Sequence, residues 1–496
     1  MEIKDTLNLP ETDFPMKASL TKAEPKMLEW WAKEKIYEEI RESSKGKEKF
    51  VFHDGPPYAN GHIHMGHALN KILKDFIVKI MGMKGYDAGF IPGWDCHGLP
   101  IEHQVGKKLK EKKMSLEKSA IRKQCRSYAQ DFVSIQRDEF KRLGIFADWD
   151  NPYLTMDYSY EATIVREFGK FVEKGMVYKG LKPVHWCTSC RTALAEAEVE
   201  HADHTSPSIY VKFEIKSGVP NSMGDLGKVY MVIWTTTPWT LPANLAISLH
   251  PEFQYVAVAI NDEVLIVAEE RLSSLILEWN VNEYKILGVC KGKEWETAIC
   301  QHPFINRESK VILGDHVTLE QGTGCVHTAP GHGQDDYIVG LKYGLEPYNP
   351  VDDGGVFRND VEHFSGMFVR KANPEIIEKL NQDGFLIHKK DIKHSYPHCW
   401  RCHQPVIFRA TNQWFISMEK KDLRKNALAG IERTKWIPDW GMGRIYSMIE
   451  NRPDWCVSRQ RAWGVPITLC TCIECGELVD TKNVFERAVE GIKKQG

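Results

Sequence analysis

The chain has 496 residues, with 65 Lys plus Arg against 67 Asp plus Glu and 42% hydrophobic residues. At about 150 residues per domain, two to four domains with sizeable cores are expected. The net charge of −2 argues against nucleic-acid binding driven by bulk basicity. The polar N-terminus and the lack of any run of about 18 apolar residues argue against a secretory leader and a membrane span.

The first predicted element is a helix around Glu24–Glu42, within an entry segment over residues 10–45. A short β-like run, Lys49–His53, leads into the Pro- and Gly-rich loop Asp54–Asn60. A helical pattern begins near Gly66, where Leu69, Ile72, Leu73, Phe76, Ile77 and Ile80 recur at three- and four-residue spacing. Strand, glycine loop and helix in this order form the nucleotide-binding arrangement of a parallel α/β sheet. A second α/β stretch runs from Phe90–Ile101 through helices up to Lys179. The basic run Lys107–Lys113 reads as a solvated helix face.

The character changes after Cys190. Ser208–Ile215, Val229–Thr235, Tyr255–Ala259 and Val264–Ala268 read as short strands of a β-rich insert. The α/β character returns near His394, with Val406–Ile416 as a strand. The predicted division is 1–190, 191–396 and 397–496. The thirteen cysteines, with no secretory pattern, are expected as free thiols or metal ligands in the reducing cytoplasm.

His64-Met65-Gly66-His67 lies where the loop meets the helix. A helix N-terminus presents unpaired N–H groups and the positive end of its dipole, which suits phosphate. Gly66 permits close approach of a ligand. The imidazoles can donate to phosphate oxygens as charge builds in a transition state. Alone, the same residues are better read as two histidines capping a helix.

The stretch Asp54-Gly55-Pro56-Pro57-Tyr58-Ala59-Asn60-Gly61-His62-Ile63-His64-Met65-Gly66-His67-Ala68 resembles the signature of class I aminoacyl-tRNA synthetases. The form D-G-P-P-Y-A-N-G is similar to the isoleucine branch. Valine enzymes typically have P-P-P-N-V-T-G here, and leucine enzymes F-P-Y-P-S-G. The entry segment Lys4–Pro10 resembles that of the bacterial enzymes. The fold implied is a class I Rossmann-type parallel-sheet domain, incomplete here and interrupted by a β-rich editing insert.

The resemblance implies ATP-dependent activation of isoleucine and its transfer to tRNA(Ile), by an enzyme that is monomeric at full length. His64, Gly66 and His67 would attend the α-phosphate of ATP, with Mg2+ on the leaving phosphates. Gly93–Glu102 matches a second binding loop, in which Asp95 would pair with the substrate ammonium. Pro56 would line the amino-acid pocket. Lys113–Ser119 superficially resembles the family's K-M-S-K-S loop, but its internal spacing and early position are wrong, so it reads as a surface turn. The family's true loop and the tryptophan-bearing elements of the amino-acid pocket are expected beyond this chain. The chain alone is therefore expected to be inactive in adenylation.

Trp234–Asn244 is a threonine-rich strand ending in a proline turn. By themselves its threonines are ordinary strand formers. Together with Gly322–Tyr337 it resembles the editing domain of the isoleucine, valine and leucine enzymes. The implied reaction is hydrolysis of valyl-tRNA(Ile). Asp336 would hold the mischarged ammonium. Thr235, Thr236, Thr237 and Asn244 would position ribose and water, and His327 would help set the size limit. No Ser-His-Asp or Cys-His pattern competes with direct attack by water.

Cys187-x-x-Cys190 and Cys399-x-x-Cys402 form two knuckles flanking the insert. Four thiolates suit a tetrahedral structural Zn2+; the alternative is two unrelated pairs of buried cysteines. His398 and His403 leave the ligand set open. Cys472-x-x-Cys475, with Cys470, resembles half of another site. Two other readings of the whole remain: a free-standing tRNA deacylase retaining only hydrolysis, and the valine enzyme, which both the Asp54–Gly61 and Gly322–Tyr337 motifs disfavour.

Overall fold

The computed structural model describes residues 2–8, 13, 17–111, 117–479 and 481–496. Leu9 and Pro10 of the entry segment, and Lys113–Leu116 of the K-M-S-K-S-like segment, lie outside the described residues. The chain divides into two compact units. One comprises residues 1–170 with 461–496, the other residues 171–460.

The first unit is α/β. Gly93–Trp94 pairs in parallel with Tyr153–Leu154. The parallel bridges Lys49↔Asp87 and Tyr58↔Asp95 set the preceding segments beside it. Of the expected strand Lys49–His53, only the bridge at Lys49 is realised. The predicted Glu24–Glu42 helix is two helices, Leu20–Lys33 and Ile36–Ser43, broken by Lys35 in the left-handed region at φ 53°. Phe90, Trp94, Ile101, Phe140, Trp149 and Trp463 form the unit's core.

The helix expected near Gly66 spans Met65–Met83, and its periodic apolar stripe faces largely outward. Leu69, Leu73, Phe76, Ile77 and Ile80 are exposed, and Ile72 is half-buried. The covered face holds Lys71, Asp75 and Val78 instead. Charged groups can occupy this face because each is paired. Lys71 and Lys74 both bond the buried Asp54 carboxylate, and Asp75 accepts from Lys79 and from the Phe146 N–H.

The second unit is built on a ten-stranded, mainly antiparallel sheet. Val229–Thr235, Cys325–Thr328, Ala246–Leu249, Glu308–Leu313, Ile299–Gln301 and Val199–Ser217 pair in succession. Val199–Ser217 then pairs back onto Val229–Thr235, which closes a barrel. Closure removes the open edges that an unpaired sheet would expose. Ile209, Val211 and Phe213 face a core with Met231, Ile233, Leu241 and Ile247. Tyr210 faces the opposite way, into a cluster with Val256, Leu265 and Leu275. Both faces of this strand are covered, which explains its continuous apolar run rather than clean alternation.

The expected strands are realised as Val199–Ser217, Val229–Thr235, Gln254–Ile260, Glu263–Ala268 and Ile407–Ile416. A strand not anticipated, Val177–Cys187, pairs antiparallel with Ile407–Ile416. Trp186 and Ile407 share the core of the barrel. This packing draws both segments into the second unit. The two compact units divide at 170/171 and 460/461.

Candidate functional site

In the first unit, His64 is the N-cap of the helix Met65–Met83. Its Nδ1 accepts from the Gly66 N–H at 3.1 Å, and its own backbone N–H reaches His67 Nδ1 at 3.3 Å. The two rings stack with centroids 3.9 Å apart. Both Nδ1 lone pairs are thus occupied, so each neutral ring has its proton on Nε2, free to donate outward. Burial, aided by His64 and Lys71, lowers the His67 pKa and favours that neutral form. Gly66 is required for the stack, since a Cβ there would stand 2.9 Å from His64 Cε1.

The Pro56–Asn60 loop runs beside the segment containing Asp95. Asp95 N donates to Pro57 O at 2.9 Å, and Ala59 N donates to Asp95 O at 2.9 Å. Burial holds the Asp95 carboxyl above the ordinary range, opposed by donation from the His97 N–H and the Thr155 and Tyr58 hydroxyls. Pro56 and Asp95 are thus brought to neighbouring loops.

Sequence reasoning missed the support behind that loop. The indole N–H of Trp463 donates to Cys96 O at 2.7 Å, and its ring lies 4.8 Å from that of His97. His97 Nε2 meets the buried Glu161 at 2.9 Å. No tryptophan was expected here within this chain. Trp463 sits in a short aperiodic stretch, so no spacing pattern flagged it.

In the second unit, the two distant motifs converge on one cavity of about 550 Å³, lined by Thr235, Thr236, Thr237, His327 and Asp336 among others. The strand Val229–Thr235 supplies one wall. The turn before the strand Cys325–Thr328 supplies the other. Gly324, at φ 76°, lies against Ala268; a Cβ would meet the Ala268 methyl at 2.4 Å.

His327 is fixed in one tautomer. The Asn244 amide must point its NH2 at the carbonyl of Ala246, 2.9 Å away, because that oxygen only accepts. The same Nδ2 lies 2.8 Å from His327 Nδ1 and therefore donates to it. His327 then has its proton on Nε2 and donates to Thr240 Oγ1 at 3.0 Å; that hydroxyl in turn donates to Thr237 O at 2.8 Å. Burial, with His302 and His332 nearby, pushes the imidazole pKa down to about 3. His327 is thus a neutral, fully bonded wall group rather than a general base. Asn244 is wholly buried behind it and orients the ring instead of lining the cavity.

Asp336 occupies the first turn of the helix Gln334–Lys342. One carboxylate oxygen accepts from the Ala329 N–H at 2.8 Å. Burial lifts its pKa to about 6, opposed by that N–H and reinforced by Asp335. A carboxylate so placed is short of a counter-charge, which an ammonium ion supplies. His332 also lines the cavity and had no assigned role. Its Nδ1 donates to Phe408 O at 2.9 Å, while its buried Nε2 has no partner among the described residues. A separate cavity of about 350 Å³, lined by Lys182, His185, Arg452 and Asp454 among others, holds none of the residues expected from sequence.

The four knuckle cysteines come together as expected. One sulfur from each of Cys187, Cys190, Cys399 and Cys402 lies within 4.8 Å of all the others. A tetrahedron with Zn–S bonds of about 2.3 Å needs sulfurs roughly 3.8 Å apart, so the set fits the ion. His398 turns its Nδ1 to Tyr396 O at 2.8 Å, and His403 lies 3.4 Å from Glu200. Neither joins the group. Cys470 and Cys475 are exposed and Cys472 half-buried.

The family model for class I tRNA synthetases of the isoleucine, leucine, methionine and valine type matches residues 26–496. The chain is 55% identical over 498 residues to an isoleucine–tRNA ligase of Syntrophotalea carbinolica, covering 100% of this chain and 54% of that protein. With an isoleucine–tRNA ligase of Geobacter sulfurreducens the identity is 57% over 481 residues, covering 97% and 52%. With that of Desulfotalea psychrophila it is 52% over 501 residues, covering 100% and 53%. The chain spans about half the length of these relatives. The match over residues 26–496 means that this chain belongs to the class I tRNA synthetases of the isoleucine, leucine, methionine and valine group.

Proposed function

We propose that this chain provides part of the activation site for isoleucine and the hydrolytic pocket that removes valine from tRNA(Ile). The reading rests chiefly on one observation. Two threonine- and glycine-rich motifs far apart in sequence converge on a single cavity, with the Asp336 carboxylate at its edge.

In the activation step the isoleucine carboxylate attacks the α-phosphate of ATP, giving isoleucyl-adenylate and pyrophosphate. The Nε2–H groups of His64 and His67 are aimed outward at the helix N-terminus, where they donate to phosphate oxygens as charge develops. Asp95 pairs with the isoleucine ammonium, and the Pro56 loop beside it contacts the side chain. Mg2+, when bound with ATP, neutralises the leaving phosphates. The adenylate then acylates the terminal adenosine of tRNA(Ile).

Valine lacks one methylene of isoleucine, and a hydrophobic pocket discriminates one methylene by about 1–3 kcal/mol, a range for which this amino-acid pair is itself the reference case. A second, smaller pocket corrects the error. Asp336 holds the ammonium of valyl-tRNA. Thr235, Thr236 and Thr237 offer hydroxyls to the ribose and to the attacking water. The His327 ring, locked by Asn244 and Thr240, forms the wall that rejects the extra methylene. Water attacks the ester carbonyl, and the ribose hydroxyl leaves. Cys187, Cys190, Cys399 and Cys402 would hold a structural Zn2+, which would tie the two ends of the insert.

The test compares hydrolysis of valyl-tRNA(Ile) and isoleucyl-tRNA(Ile) by the chain and by Asp336→Ala and Asp335→Ala. Hydrolysis of the valyl ester, sparing of the isoleucyl ester and loss only in Asp336→Ala are expected. Equal rates in all three proteins would refute the assignment.

A further inference from the structure

The helical turn Pro238–Ala243 carries Thr240, whose hydroxyl holds the His327 ring, and all six of its residues are buried. A helical turn leaves its first N–H groups without partners inside the turn. Pro238 has no N–H to place, and the Thr240 N–H bonds Thr237 O at 2.9 Å. The Thr237 side chain makes no capping bond. The buried Trp239 N–H therefore depends on an acceptor from elsewhere in the chain. Asn373 supplies it from the helix Val369–Gln382, with its Oδ1 receiving that N–H at 3.0 Å.

Asn373 is not among the residues that line the hydrolytic pocket. It acts on the pocket through the turn. Trp239 directly precedes Thr240, which accepts the His327 Nε2–H at 3.0 Å. The Trp239 ring also packs edge-on against His332, with centroids 4.8 Å apart. Without the Asn373 oxygen a buried N–H is left unpaired, which is costly. The turn can satisfy it only by moving, and Thr240 moves with it.

The helix that presents Asn373 is itself held from the other side. Residues three apart share a helix face, and Arg370, one turn earlier, bonds Pro405 O. Pro405 lies just past the second cysteine knuckle. That knuckle is a tight hairpin, in which Cys399 N donates to Gln404 O at 2.9 Å and His403 N to Cys399 O at 2.9 Å. Val369, Ala372, Ile376 and Leu380 seat the helix in the barrel core. One face of one helix thus touches the knuckle through Arg370 and the turn through Asn373.

We propose that Arg370 and Asn373 form a strut between the cysteine knuckle and the size-limiting wall of the hydrolytic pocket. Asn373 is the positioning residue for Thr240 and His327, and Arg370 is its anchor. The proposal rests on the hydrolytic reading of that pocket. Its effect is selective. Asp336 and the threonines meet the ammonium and ribose that both esters share, whereas the wall meets the extra methylene alone. A displaced wall admits the isoleucyl ester and leaves hydrolysis of the valyl ester nearly intact.

The experiment measures kcat/KM for hydrolysis of valyl-tRNA(Ile) and isoleucyl-tRNA(Ile) by the chain and its variants. The ratio of the two values is the readout, because a change in RNA contacts alters both esters alike. In Asn373→Ala the ratio should fall about fivefold, the equivalent of one hydrogen bond, through faster isoleucyl hydrolysis. Asn373→Asp keeps an acceptor for the Trp239 N–H and should retain the parent ratio within about twofold. Arg370→Met should lower the ratio in the same direction, and Arg370→Lys, which keeps a donor for Pro405 O, should restore it. The Asn373→Ala/Arg370→Met double variant should do no worse than Asn373→Ala, since both changes break the same strut. Thermal melting reports the folding of each variant; a general loss of structure lowers both rates in parallel and leaves the ratio unchanged. An unchanged ratio in Asn373→Ala or Arg370→Met, or additive effects in the double variant, would overturn the strut while leaving the hydrolytic reading intact. A parent that spares the valyl ester, or hydrolyses both esters equally, would instead remove the hydrolytic reading and the strut with it.

Discussion

Replacing Asp336 by Asn separates binding from stability, because the two should move in opposite directions. The carboxyl pKa is raised from the ordinary 3.8 to about 6, chiefly by burial. A raised carboxylate pKa means that ionisation disfavours the folded state. The stability is fully present below about pH 4 and is lost as the pH rises through about 6. The full difference would be worth about 3 kcal/mol. Asp336 is only half-buried, so solvent reduces this to about 1–2 kcal/mol. Asn can still accept from the Ala329 N–H, so the neutral variant keeps that bond. Asp336→Asn should therefore raise the melting temperature at pH 8 by about 2–4 °C per kcal/mol, and leave it unchanged at pH 4. The same variant loses the charge-assisted bond to an ammonium, worth about 1.5–3 kcal/mol, so hydrolysis of valyl-tRNA should slow at least tenfold. In the parent, kcat/KM should fall by about tenfold per pH unit below about 6, as the carboxylate protonates. The assays are melting scans at the two pH values and deacylation across pH 5–8. An unchanged or lower melting temperature for Asp336→Asn at pH 8, with a pH–rate profile flat down to 5, would refute the reasoning.

Three further outcomes follow from other parts of the molecule. Protein prepared without added zinc should contain about one equivalent of metal at the four-cysteine group, lost in the Cys187→Ser/Cys399→Ser double variant; unchanged metal in that variant would remove the assignment. Asn244→Ala strips the donor that His327 Nδ1 has among the described residues and should destabilise the chain by about 1–3 kcal/mol in denaturant titration, whereas an effect under about 0.5 would mean the ring is held elsewhere. Leu73→Gln and Phe76→Gln lie on the exposed stripe of the helix Met65–Met83, so each should cost less than about 0.5 kcal/mol and lower binding of a hydrophobic dye; a loss of 2 kcal/mol would place those side chains in a core.

What could be read in advance depended on whether local pattern or tertiary pairing decided the outcome. Val229–Thr235 was visible because β-branched and aromatic residues are bounded by a Gly-rich turn and a proline, and the strand has those bounds. The cysteine knuckles were visible because ligand spacing is a local property. The buried face of the helix Met65–Met83 was not legible because periodicity finds a stripe but not its direction. Asp54, seventeen residues before Lys71, is what allows the charged face to turn inward. Val177–Cys187 was missed because its Lys and Gly residues suppress alternation, and its ten-residue ladder with Ile407–Ile416 is a long-range property. Within the candidate pocket, the threonines, His327 and Asp336 were all named from motifs. The roles of Asn244 and Thr240 as the donor and acceptor that lock His327 were not, because they depend on side-chain geometry across the barrel.

In the proposed hydrolysis one pocket recognises the ammonium of a mischarged valine through Asp336 and excludes isoleucine with the His327 wall. A crystal structure of this chain with the valine amide of 2′-amino-2′-deoxyadenosine tests it most directly. The valine nitrogen is expected within hydrogen-bonding distance of the Asp336 carboxylate, with the side-chain methyls against His327 and the ribose beside Thr235–Thr237. A ligand seated instead in the cavity of Lys182 and Arg452, or one whose amine points away from Asp336, would contradict it.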